Sequence, residues 1–268
     1  MYDVIQSDFI YLPGIIITMD KDKISNGSNS PGLLGKKPAI GWIMFILGII
    51  VFIILVYNLV NQGPLIKWDI SVAEYFHSIA LNTSPWIIDI MIVGYYIGLQ
   101  GMIIFGVLLG LYFIFKRLWK ELVMVCVTMG TSGLIFLVLS HIFNRPRPFT
   151  LFPTLIWPKS PNVPGFPSGH ALSIIVCCGL LLYLFAPKIK SRFGKVLAVI
   201  IAILVVIFIG FSRLYIGDHY LTDLIAGYAL GIAWFGLTVT LIELLFQRYY
   251  SKKGRKRLEN EKQKESYK

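Results

Sequence analysis

The chain has 268 residues, of which 56% are hydrophobic and only 15% charged, and its formal net charge is +11. Soluble domains carry about 25% charged residues, so the composition excludes an ordinary water-soluble domain and puts the chain in a bilayer. Cys126, Cys177 and Cys178 all lie inside apolar runs, which fits neither a disulfide framework nor a zinc site.

In chain order, residues 1–37 say least. Phe9–Thr18 is apolar but too short to span a bilayer, is interrupted by Pro13-Gly14, and runs into Asp20-Lys-Asp-Lys23. It lacks the charged-then-apolar order of a signal peptide. The Ser- and Asn-rich stretch 25–32 has the composition of a mobile segment. Six apolar spans follow, at roughly 39–60, 94–115, 121–142, 168–186, 195–211 and 219–246. Each has about the twenty residues that a ~30 Å hydrocarbon core requires. The second has an apolar extension back to Trp86, and residues 61–85 read as a short amphipathic helix on the membrane surface.

Lysine and arginine set the orientation. Lys36 and Lys37 precede span one; Lys116, Arg117 and Lys120 join spans two and three; Lys188, Lys190, Arg192 and Lys195 join spans four and five; Arg248 and the 252–257 cluster follow span six. All of these fall on one side by parity. The expected architecture is therefore an all-α, polytopic membrane protein with six transmembrane helices and both termini cytoplasmic. It divides into a mobile cytoplasmic segment (1–37), a six-helix membrane domain (38–247) and a basic cytoplasmic tail (248–268).

Parity also brings three polar clusters to the outer face. Span three ends at Asn144-Arg145-Pro146-Arg147-Pro148, span four begins at Pro167-Ser168-Gly169-His170, and spans five and six meet across Ser212-Arg213 and His219. The prolines stop the helix and hold two guanidiniums on a stiff segment. Ser168 is a good N-cap, and Gly169 opens the backbone N–H groups of a helix start to an anion. Asp223 follows His219 by four residues, so on a helix the carboxylate reaches the imidazole and leaves the other ring nitrogen as base or nucleophile. Arg147, Arg213, Ser168 and the helix start form a donor cage suited to phosphate, with Arg145 beside it. His219 with Asp223 is an oriented nucleophile, and His170 an acid. No carboxylate cluster marks a two-metal site, so the pattern favours chemistry without metal or cofactor.

Arg147-Pro148, Pro167-Ser-Gly-His170 and Ser212-Arg213-x5-His219-x3-Asp223 resemble the three-part signature of the type 2 phosphatidic acid phosphatase family. The resemblance implies that His219 attacks phosphorus to form a phosphohistidine and that Asp223 orients it. It further implies that His170 protonates the leaving group, while Arg147, Arg213, Ser168 and the Gly169 amide bind phosphoryl oxygens. The expected partner is a lipid phosphate within the bilayer, with no nucleic acid: phosphatidic acid, phosphatidylglycerophosphate or undecaprenyl pyrophosphate. Where the family has a lysine seven residues before Arg147, this chain has Ser140, with Arg145 as the candidate replacement cation. That departure keeps two alternatives open: a lipid-phosphate binding or transport protein with weakened or lost catalysis, and a lipid phosphotransferase. The sequence leaves the oligomeric state open.

Overall fold

The computed structural model describes residues 8–12, 15–19, 31–152 and 164–266. The mobile stretch expected over 20–30 and much of the outer loop expected over 149–166 lie outside the described residues.

One element departs from an all-helical chain. The apolar stretch near the N-terminus forms a two-stranded antiparallel hairpin, β1 (Asp8–Leu12) with β2 (Ile15–Met19), in which Leu12 opposes Ile15. Its isoleucines, tyrosine, phenylalanine and threonine are residue types that favour a pleated backbone, and length rather than polarity kept this segment from being a span.

The remainder is helical: α1 (Leu33–Lys36), α2 (Pro38–Val60), α3 (Pro64–Leu81), α4 (Pro85–Tyr96), α5 (Met102–Phe115), α6 (Trp119–Phe143), α7 (Gly169–Phe185), α8 (Arg192–Tyr215) and α9 (Leu221–Ser266). Prolines at the first helical positions of α2, α3 and α4 start those helices where a missing N–H costs nothing. Among the described residues, five helices are long and apolar enough to cross a membrane, beginning at Pro38, Trp119, Gly169, Arg192 and Leu221. Large apolar side chains such as Ile46, Leu47, Ile103, Val107, Ile200 and Leu204 are exposed, which hydrocarbon accepts and water would not.

The segment expected as span two is divided. A π-helical turn, Ile97–Gly101, separates α4 from α5. The packing around it is close: a Cβ on Gly94 would sit 2.8 Å from the Ser212 side chain, and one on Gly98 would sit 2.8 Å from the His170 ring. The backbone passes this close to two motif residues only because both positions are glycine. π-Helical turns of this kind recur beside functional sites.

Helix α9 lies at the centre and packs chiefly against α2 and α7. Small residues set both contacts. Gly227 lies against the Ser168 carbonyl and Ala171, and Gly231 would place a Cβ 2.9 Å from the Leu172 carbonyl. Gly41 and Gly48 of α2 face Thr240, Gly236 and Ala233 of α9. Without a hydrophobic drive between helices in lipid, close van der Waals approach through small residues supplies the association. At the far end of α9, the buried Glu243 accepts from Lys120 Nζ at 2.9 Å, Tyr183 OH at 2.8 Å and the Gly32 amide at 3.2 Å, which docks the start of α1.

The helix expected over 61–85 is α3. It buries Asp69, Ala73 and Ala80, and Asp69 reaches the start of α9.

Candidate active site

Helix α6 ends at Asn144, whose left-handed backbone (φ 42°, ψ 41°) lets its N–H close onto the Ser140 carbonyl at 3.0 Å. Arg145 to Pro148 then leave the helix, and backbone hydrogen bonds tie them to the other two clusters. The Gly165 amide donates to the Arg145 carbonyl at 2.8 Å, the Phe149 amide to the Gly217 carbonyl at 3.2 Å, and the Ser168 amide to the Asp223 carbonyl at 3.0 Å. Segments far apart in sequence are thus joined through the main chain, before any side chain is counted.

His219 Nδ1 lies 2.8 Å from the Gly165 carbonyl oxygen. A carbonyl only accepts, so Nδ1 carries the proton and Nε2 presents its lone pair to the cavity. Asp223 Oδ2 is 3.6 Å from the same Nδ1, an electrostatic rather than a hydrogen-bonding distance. That oxygen instead accepts the Tyr220 amide at 2.8 Å, closing the first turn of α9 as the acidic half of a capping box. The capping reading and the imidazole-partner reading of Asp223 both describe its geometry. What fixes the tautomer is the glycine carbonyl.

Arg145 turns to the carboxylates behind His219. It donates to Asp223 Oδ1 at 2.5 Å, Asp69 Oδ2 at 2.7 Å and Thr222 Oγ1 at 2.9 Å, and it stacks over the Tyr220 ring at 4.3 Å. Asp69 also accepts the Thr222 amide at 2.9 Å, so a carboxylate from α3 caps the positive end of α9.

Two further guanidiniums, those of Arg147 and Arg213, lie beside the two imidazoles. Arg147 Nη1 is 2.7 Å from Asp218 Oδ1, 3.1 Å from the Asp218 carbonyl and 3.4 Å from His219 Nε2. Arg213 is fully buried, receives support from Ser212 Oγ at 3.0 Å and lies 4.5 Å over the Tyr95 ring. Its Nη1 is 3.5 Å from His170 Nε2 and 3.7 Å from Asp218 Oδ2. Burial alone would raise the Asp218 carboxyl, but Arg147, with Arg213 nearby, outweighs it and holds the group below the usual carboxylate range. The two imidazoles stand 6.4 Å apart between ring centroids. Ser168 caps α7 by accepting from the Ala171 amide at 3.3 Å. Gly169 sits so close to Phe136 that a Cβ would lie 2.9 Å from the ring. Ser140 is fully buried and donates to the Leu137 carbonyl within its own helix at 3.0 Å.

Arg147, Gly169, His170, Asp218 and His219 form the polar end of a cavity of about 730 Å³. The rest of its wall is largely apolar and comes mainly from α5, α6 and α7, with Tyr95 of α4, reaching Leu122 and Ile114 at the other end of the bundle. Leu122 and Leu137 both line it, so it follows α6 for about 22 Å at 1.5 Å per residue.

Residues 121–246 match the sequence profile of the PAP2 superfamily. Over those residues the chain resembles the PAP2 superfamily. It is 28% identical over 162 residues to phosphatidylglycerophosphatase B of Bacillus subtilis, covering 59% of this chain and 76% of the relative. It is 33% identical over 138 residues to an undecaprenyl-diphosphatase of Sulfolobus acidocaldarius, covering 50% and 60% respectively. The crystal structure of a transmembrane PAP2-type phosphatidylglycerolphosphate phosphatase from Bacillus subtilis superposes with a TM-score of 0.58 at 24% identity, over 72% of this chain and 94% of that one. The fold is that of this PAP2-type membrane phosphatase, and the multi-pass chain is similar in sequence to proteins named as lipid phosphatases.

Within that PAP2 frame, a metal has one candidate place among the described residues: ligand atoms of His170, Asp218 and His219 lie within 4.8 Å of one another. The set does not fit a resident cation well, because Arg147 and Arg213 approach both ring nitrogens and the carboxylate. Sequence reasoning missed Gly165, Tyr95, Asp69 and the placement of Asp218. The first acts through its backbone and the second through a ring on a different span, and neither carries a sequence signal. Asp69 is an acidic residue inside an amphipathic segment, and an acid on the buried face of such a helix is the signal that points to it.

The triad of Arg145, Asp69 and Asp223 generates a stability prediction. Removing one partner of a buried ion pair costs about 3–5 kcal/mol. Arg145→Ala should lower the melting temperature in detergent, and Arg145→Lys should resemble it, since one ammonium does not span two carboxylates as a guanidinium does. Wild-type melting of Arg145→Lys would show that charge alone suffices there.

Proposed function

We propose that the protein is a lipid phosphatase that cleaves a phosphate monoester or pyrophosphate through a phosphohistidine at the extracytoplasmic face of the cell membrane. One observation carries this reading: an oriented imidazole, a second imidazole and two buried guanidiniums converge at the polar mouth of a long apolar cavity. Arg147, Arg213, the Ser168 hydroxyl and the Gly169 amide would hold the phosphoryl oxygens. His219 Nε2 attacks phosphorus, the P–O bond to the lipid breaks, and His170 gives its proton to the departing oxygen. Water then attacks the phosphohistidine, with His170 taking the proton back and His219 released with its lone pair. Asp223 stabilises the charged ring, and Arg145 serves by holding Asp223 rather than by touching phosphate. The chemistry assigned to these side chains needs no metal.

The lipid tail lies in the apolar cavity. Gly130 and Gly133 of α6 line it with bare backbone, and no atom stands within 4 Å of where a Cβ would be at either. Phosphatidylglycerophosphate, phosphatidic acid and undecaprenyl pyrophosphate all offer the required combination of terminal phosphate and long chain. The topology belonging to this reading has six crossings, with Pro85–Phe115 as the second, and both termini in the cytoplasm. The one-sided distribution of Lys and Arg supports it.

Three experiments test the reading. His219→Ala should abolish phosphate release from a panel of lipid mono- and diphosphates, while Asp223→Asn slows it by orders of magnitude; wild-type activity should persist in EDTA. Turnover by the His219 variant would remove it as nucleophile, and EDTA sensitivity reversed by one divalent ion would introduce a metal. For orientation, a cysteine at Asn162 should react with an impermeant thiol reagent in intact cells and one at Ser191 should not; the reverse pattern would place the site inside. For the chain-binding role, Gly133→Phe should reduce kcat/KM for long-chain lipid phosphates at least about tenfold and spare a short-chain phosphate ester. Equal losses on both would argue against the cavity as the tail site.

A further inference from the structure

Asp218 stands where the substrate's phosphoryl group belongs. Its carboxylate lies 2.7 Å from Arg147 Nη1, 3.7 Å from Arg213 Nη1 and 3.6 Å from His219 Nε2. These are the groups assigned above to phosphoryl oxygens and to phosphorus. In-line attack requires phosphorus about 3–3.5 Å from the attacking nitrogen, and an Asp218 oxygen stands only just beyond that range, at 3.6 Å. Carboxylate and phosphoryl group therefore exclude one another. A carboxylate also resembles the ligand in kind: it is a planar anion that guanidinium forks recognise as they recognise phosphate.

We propose that Asp218 is a resident anion of the phosphoryl cradle, that substrate binds by exchanging with it, and that Asp218 thereby sets the enzyme's affinity for phosphate. This rests on the reading of the site as a phosphatase. Two features make the exchange feasible. The cradle has supports that do not involve the carboxylate: Arg147 donates to the Asp218 main-chain carbonyl, and Arg213 is held by Ser212 Oγ and the Tyr95 ring. Departure of the Asp218 side chain leaves both guanidiniums in place. Asp218 also follows Gly217, which has a left-handed backbone (φ 69°) and open space around it, in the short connection between α8 and α9. While substrate is absent, the carboxylate keeps two guanidiniums buried beside hydrocarbon from standing uncompensated.

The test compares wild type, Asp218→Asn and Asp218→Glu, purified in detergent, by competitive inhibition with inorganic phosphate during turnover of a short-chain lipid phosphate. Asparagine matches aspartate in shape but removes the competing charge, so the Ki for phosphate and KM should both fall at least about tenfold, whatever happens to kcat. Glutamate retains an anion, and its Ki should stay within about threefold of wild type. An unchanged or raised Ki in a folded Asp218→Asn variant overturns the proposal. A measurement on the unaltered protein covers the case in which Asp218→Asn does not fold: the infrared difference spectrum on adding phosphate should show a shifted carboxylate stretch, and a spectrum without one also overturns it. Wild-type turnover together with an unmoved Ki in Asp218→Asn rejects the exchange alone. A wild-type protein that neither binds phosphate nor releases it from any lipid phosphate rejects the phosphatase reading as well.

Discussion

The position of His219 depends on a guanidinium clamped between two buried carboxylates. Arg145 bridges Asp69 on α3 and Asp223 on α9, and each carboxylate also accepts a main-chain N–H from the start of α9. In a low-dielectric surrounding such an arrangement is strong only when every charge has its partner, because desolvation costs several kcal/mol per ion. Here the two acids sit at the positive end of a helix, where the dipole offsets part of their charge. The result is a fixed first turn of α9, and His219 lies just before that turn.

The second constraint is steric. Tyr183 and Glu243 tie α7 to α9 at the far end, but nearer the site small residues set how the two helices meet, because lipid gives no preference for one apolar face over another. Gly227 and Gly231 let the α7 backbone come into van der Waals contact, and that contact sets His170 and Ser168 opposite His219. On the other side, Gly94 and Gly98 bring the π-helical turn against Ser212 and His170. Tyr95, carried between them, becomes the floor under Arg213. Two of the cradle's walls are therefore set by missing side chains.

These constraints explain what was legible in the sequence. The apolar spans were legible because hydrocarbon demands about twenty apolar residues per crossing, a long and redundant signal. The division of span two was not: glycines at 94 and 98 look like any others in a membrane helix until the neighbours they admit are known. The convergence of Arg147, His170, Arg213 and His219 was legible because parity along the chain forces those span ends to one level. The hydrogen-bond pairing within the cluster was not. Asp223 stands four residues after His219, which suggested a direct bond, yet the imidazole proton goes to the Gly165 carbonyl. Main-chain acceptors leave no trace in side-chain spacing. The same limit hid the division of labour between Arg145 and Arg147, which are two residues apart in sequence yet face different carboxylates.

The serine at position 140 gains a physical meaning from that division. A third cation aimed into the cradle would meet Arg147 and Arg213 in a site that already gathers two guanidiniums at low dielectric, and each added charge raises the desolvation cost. On the proposed reading Arg145 does not replace it, since its Nη1 and Nη2 are engaged behind His219. The cradle instead balances two guanidiniums against one aspartate when substrate is absent. A lysine at 140 would shift that balance by a full charge, whereas serine closes its hydroxyl onto the Leu137 carbonyl and leaves the field of the cradle unchanged. A site with two fixed cations and an exchangeable carboxylate holds a phosphoryl dianion less tightly than one with three cations. Weaker ground-state binding does not by itself slow the chemical step, provided that the same two guanidiniums follow the charge as it moves onto the departing oxygens.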